Sequence, residues 1–100
     1  MNLAVMCGSY DTASLESRQE NSEVISLVTN RPYTFIMGSG NTGSMRDVKE
    51  IIMEKGKTLI IVGKEEELDR SPGDVKISVE TTFERLSTLY ENSDAILCLS

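Results

Sequence analysis

Four short apolar runs punctuate this chain: Leu3–Cys7, Tyr33–Met37, Thr58–Val62 and Ala95–Leu99. Each reads as a buried strand, and the second is rich in aromatic and β-branched residues. Helical signals lie between them. Over residues 13–29, Leu15 stands alone, Val24, Ile25, Leu27 and Val28 cluster late, and Asn30-Arg31-Pro32 stops the pattern. Over 44–55, Met45, Val48, Ile51 and Ile52 share a face, Ser44 with Asp47 offers an N-cap, and Gly56 a stop. Thr81 and Glu84 fit a capping box for a last helix, with Phe83, Leu86, Leu89 and Tyr90 on one face and Asn92-Ser93 at its end. Lys64–Asp74 reads as an exposed charged loop with a Ser71-Pro72-Gly73 turn, and Val75–Val79 as a short strand or extended segment. Strands alternating with helices imply a parallel sheet. The expected fold is α/β: a Rossmann-like open parallel sheet of about four strands, helices on both faces, in one domain over residues 1–100.

Composition narrows the partners. The chain carries 16 acidic and 10 basic residues, a net charge of −6, with no basic run. Nucleic-acid binding is therefore not expected. No apolar run approaches the roughly 20 residues that span a bilayer, and Met1-Asn2-Leu3-Ala4-Val5 does not read as a signal peptide. The expectation is a cytoplasmic protein without membrane association. The absence of histidine removes His-based acid–base chemistry and His metal sites. Two lone cysteines, Cys7 and Cys98, make neither a disulfide framework nor a zinc site, and both read as small core residues. No metal and no cofactor is expected.

Ligands of open α/β sheets bind at the carboxyl ends of the strands. Here Gly8 and Ser9 follow the first strand. Gly38-Ser39-Gly40-Asn41-Thr42-Gly43, a G-x-G-x-x-G spacing, follows the second and opens a helix. Glycines admit an anion close to the backbone, and a helix start aims free N–H groups at it. Ser39, Asn41, Thr42 and Ser44 add side-chain donors. The plainer reading is a tight strand-to-helix turn. A dinucleotide reading is the rival: it wants an acidic residue roughly 20 positions on, and Glu65 lies 22 beyond Gly43. Against it, a full strand–helix unit precedes the glycine strand. Arg85, in the first turns of the last helix, can fork onto a phosphate or carboxylate near the same sheet edge. Its alternative is a surface pair with Glu84 or Asp94. Glu65-Glu66-Glu67 reads as a solvated run.

The segments "VMCGS", "GSGNTGSM", "TLIIVG" and "FERLSTLYENSDAILCL" come in an order that resembles the LONELY GUY (LOG) family, once described as lysine decarboxylases. The resemblance covers essentially all 100 residues. It implies a phosphoribohydrolase fold whose members release the base from cytokinin riboside 5′-monophosphates or AMP-like nucleotides. It matches Cys7-Gly8-Ser9 to the family's C-G-S, and Gly38, Gly40, Gly43 and Met45 to its G-G-G-x-x-G-L-M-G, with Ser39, Ser44 and Arg46 departing. Arg85 matches a catalytic-site arginine, Leu86 and Leu89 replace a lysine and a methionine, and Ser93-Asp94-Ala95 matches S-D-A. It implies an AMP-like ligand and a homodimer. The family continues into P-G-G-x-G-T-x-x-E, which cradles the phosphate and supplies the catalytic glutamate. These 100 residues stop at Leu99-Ser100, before that segment, so no glycosidase activity is expected of them alone. The expectation is the N-terminal part of such a site, with a non-catalytic nucleotide-binding module or a ligand-free assembly domain as alternatives.

Overall fold

A computed structural model describes residues 1–7, 15–40, 43–71 and 73–99. Five strands form one sheet: β1 (Asn2–Met6), β2 (Thr34–Gly38), β3 (Leu59–Gly63), β4 (Val75–Ser78) and β5 (Ala95–Cys98). Their spatial order is β4-β3-β2-β1-β5, and every pair is parallel. The segment left open between strand and extended chain is thus strand β4. It lies at an edge, where its weak apolar content is tolerated.

The helices are α1 (Leu15–Val28), α2 (Gly43–Glu54), α3 (Glu65–Leu68) and α4 (Thr82–Glu91). From β1 to β4 the chain steps outward one strand at a time. It then returns through α4 to place β5 on the other side of β1. Crossovers between parallel strands are right-handed, so reversing direction puts the connecting helix on the opposite face. The core shows this split. Leu3, Val5, Phe35, Met37, Leu59 and Ile61 meet Ile25, Val48, Ile52 and Leu68 from α1, α2 and α3. The alternate residues Ala4, Ile36 and Val62 meet Val79 and Leu89 of the α4 side. Period-two alternation thus sorts each strand between two half-cores.

Local signals explain several boundaries. Gly56 takes φ +69°, the left-handed conformation that ends α2. Thr81 caps α4 by accepting the Glu84 N–H at 3.1 Å, while the Glu84 carboxylate turns to the Glu80 N–H at 3.5 Å. Each edge strand is preceded by an aspartate that locks it to its neighbour. Asp74 accepts the Leu59 N–H at 2.8 Å and donates its own N–H to the Leu59 carbonyl at 2.8 Å. Asp94 does the same with Asn2, at 2.7 and 2.8 Å. Arg18 of α1 forks onto Asp47 of α2 at 2.7 and 2.9 Å.

Three expectations need correcting. The Lys64–Asp74 segment is not all exposed loop: it holds α3, and Leu68 and Ser71 are buried. Leu68 supplies the apolar anchor for that turn of helix. The presumed apolar face of α4 buries only Leu89, leaving Phe83 78% and Tyr90 72% exposed. Cys98 is exposed rather than in the core. It sits on the edge strand facing the α4 side, and α4 packs over β2 and β3. No helix among the described residues is long and apolar enough to cross a membrane.

Candidate functional site

At the carboxyl ends of β1 and β2 the chain leaves a cavity of about 200 Å³. Its walls are Val5, Met6 and Cys7 from β1 and its end, Gly38 and Gly40 from the glycine loop, Met45 from α2, and Arg85, Leu86 and Leu89 from α4. This is where an open parallel sheet presents ligands. Four sequence-selected residues meet here: Gly38, Gly40, Met45 and Arg85. Gly43 begins α2. Gly8, Ser9, Asn41 and Thr42 lie outside the described residues, as does the side chain of Ser44.

Gly38, the last residue of β2, faces α4. A Cβ there would stand 3.6 Å from Met45 Cε and 3.8 Å from Arg85 Cδ, ordinary contact distances. Glycine at this position therefore leaves room in the cavity and is not dictated by backbone strain. A crowded glycine lies one strand over. A Cβ on Gly63 would overlap the Ser39 side chain.

Ser39 is buried and does not line the cavity. Its hydroxyl donates to the Glu67 carboxylate, and its carbonyl accepts from the Ser71 hydroxyl. The next carbonyl, that of Gly40, accepts from the Lys49 ammonium. Two consecutive loop residues are thus held by side chains from α3, from the turn after it, and from α2. The expected ligand donor Ser39 is here a strut of the loop. Its partner Glu67 is exposed, as the sequence reading of a solvated run expects, and also accepts this hydrogen bond.

Two titratable groups at this end are displaced from their ordinary behaviour. Burial pushes the Cys7 thiol up to about 11, partly offset by the Lys49 charge. Burial draws Lys49 down to about 8, with Cys7 and Glu67 acting in the opposite direction. Lys49 has no exposed surface.

Arg85 is half-buried, with its side chain alongside the end of β2. Among the described residues it forms no ion pair, so neither Glu84 nor Asp94 engages it. Asp94 is committed to Asn2 at the opposite end of the sheet. The cavity is therefore apolar over most of its wall, with one cation and one thiol, and no carboxylate among its described lining residues. That suits an anion with a flat or apolar body.

Lys49, Gly63, Glu67 and Ser71 are the residues that motif reasoning passed over. Lys49 had a signal: it lies four residues after Met45 and three before Ile52, inside the apolar stripe of α2. A lysine on such a stripe is either a solvent-reaching stem or a buried charge, and here it is the latter.

No family model matches the chain, and no curated protein matches it. Solved structures do. Two structures of the molybdenum cofactor (Moco) carrier protein from Chlamydomonas reinhardtii superpose with TM-scores of 0.79 and 0.78 at 16% and 15% identity, covering 98% and 99% of this chain. The chain spans 60% and 62% of their lengths. At such identity the likeness establishes the fold: an open α/β parallel sheet shared with these proteins.

Proposed function

We propose that the cavity binds a nucleoside 5′-monophosphate of the AMP type, as the nucleotide-holding part of a LOG-like phosphoribohydrolase site. The observation that carries this reading is Arg85. Its side chain reaches from α4 to the end of β2 beside Gly38 and lines the cavity with Gly40, with no ion pair among the described residues. A phosphate between Arg85 and the glycine loop would meet a charge-assisted donor and the loop backbone. Met6, Met45 and Leu86 offer an apolar wall to a base. N-glycosidic cleavage needs a general acid or base near the anomeric carbon. No carboxylate is among the described lining residues, and hydrolysis requires one to be brought to the cavity. The homodimer implied by the resemblance is part of this proposal, and the apolar side chains exposed on α4 are in keeping with it.

A second reading, a module that holds its ligand without turnover, is in keeping with a described lining that holds one cation and no carboxylate. It is also in keeping with the carrier named in the structural neighbours. One experiment separates the readings. The protein is incubated with AMP, its thermal shift is recorded, and free adenine is assayed. Stabilisation without adenine release supports a holding site. Adenine released above a no-enzyme control means the 100 residues contain the catalytic group. No shift removes the AMP site.

A further inference from the structure

Deepening that site assignment and resting on it, we propose that Lys49 is its positioning residue: it grips the Gly40 carbonyl from beneath the loop and sets both the loop's backbone and its charge. Lys49 belongs to α2, on the sheet face opposite α4, and it is fully buried. Its ammonium donates to the Gly40 carbonyl, and Gly40 itself forms part of the cavity wall. Arg85 approaches the same loop from the α4 face. Gly38 and Gly40 are therefore approached by two cationic side chains from opposite faces of the sheet, Arg85 on the cavity side and Lys49 behind it.

The groups around Lys49 define how this charge behaves. Cys7 faces it from the end of β1, and the Glu67 carboxylate from α3. On its own helix, Asp47 is taken by Arg18 of α1, and Arg46 lies beside Asp47. Glu67 is itself engaged by the Ser39 hydroxyl. An ammonium with a single carbonyl acceptor among the described residues is under-compensated for a buried charge. An anion seated at the loop would supply the missing negative charge. Binding and protonation of Lys49 then favour each other by linkage. Lys49 holds its proton weakly enough to lose it near pH 8, while Cys7, pushed up to about 11, stays a thiol through that range.

The test has a ligand-free arm and a ligand arm. In the free protein, the Gly40 amide resonance is followed from pH 7.0 to 9.5. It should move with one inflection near 8, and the movement should be absent in Lys49→Met. A Gly40 resonance that is flat in the unmodified protein, or that moves equally in Lys49→Met, overturns the positioning role whether or not any nucleotide binds. In the second arm, AMP affinity is measured over the same range, where its phosphate stays a dianion. The unmodified protein should lose about tenfold in affinity, the scale of one hydrogen bond to a charged group. Lys49→Arg, which keeps its charge, should bind with little pH dependence, and Lys49→Met weakly at every pH. Affinity independent of pH in the unmodified protein overturns the coupling. A protein whose Gly40 titrates but which binds no AMP overturns the nucleotide reading and leaves Lys49 as the anchor of the loop.

Discussion

The two faces of the sheet are built to different standards. One is covered by α1 and α2, with Leu68 of α3 filling in, and Ile25, Phe35, Met37, Val48, Ile52, Leu59 and Ile61 there have no exposed surface. The other is covered, among the described residues, by α4 and by Val79 just before it; α4 contributes one buried residue, Leu89, and Met6 and Ile96 of the strands stay partly open. Burial of apolar surface is the dominant favourable term in folding. The first face therefore carries most of the stability. The thinly covered face is the one on which Arg85 reaches the cavity. Most of the stability thus lies on one face and the cavity's cation arrives from the other, while Cys7 and Met45 of the cavity wall pack on the first.

The largest expected effect tests that difference. Phe35→Ala should cost about 4 kcal/mol and bring a small domain close to unfolding, whereas Leu89→Ala on the open face should cost about 2 kcal/mol. Urea denaturation of both variants gives the ratio. Equal losses would mean the faces contribute alike.

The glycines give the next contrast. Gly63→Ala must displace Ser39 and should cost about 1–3 kcal/mol while weakening ligand binding through the loop. Gly38→Ala, meeting only ordinary contacts, should change stability by less than about 1 kcal/mol and reduce affinity by narrowing the cavity. Thermal melts with and without AMP distinguish the two.

The pH dependence of stability is set by Lys49 and Cys7 in opposite senses. Between about pH 8 and 10.5 the unfolded chain holds a proton on Lys49 that the folded chain has lost, so stability rises. Between 9.0 and about 11 the folded chain keeps a proton on Cys7 that the unfolded chain loses, so stability falls. The net curve should climb from 8 to 9 and then level. Lys49→Met should abolish the climb, and Cys7→Ala should extend it to about 10.5. Denaturation midpoints across this range show which happens.

The smallest effect concerns the outer surface of α4. Tyr90→Ser and Phe83→Ser should each change stability by no more than about 0.5 kcal/mol, because both side chains are already in solvent. A loss of 2 kcal/mol would show that something covers this face in solution.

The fold was largely legible because apolar runs and helix caps are local. Gly56 and Thr81 act as their residue types dictate, and the strand runs alternate with helices as a parallel sheet requires. The α4 face was misread because helical periodicity marks which residues share a side, not whether anything lies against it. The site was half legible. Gly38, Gly40, Met45 and Arg85 converge as their positions after β2 and at the start of α4 imply. The supports of the loop were not, because Lys49, Glu67 and Ser71 act through contacts between segments far apart in sequence. A charged residue has no local signature that distinguishes a buried anchor from a solvated side chain.

The most direct measurement is calorimetric titration of AMP into the unmodified protein, Arg85→Ala and Arg31→Ala, the last altering an exposed arginine before β2 at the opposite end of the sheet. The account predicts saturable binding that weakens at least about tenfold in Arg85→Ala and is unchanged in Arg31→Ala. Equal affinity in all three proteins, or no binding in any, would contradict it.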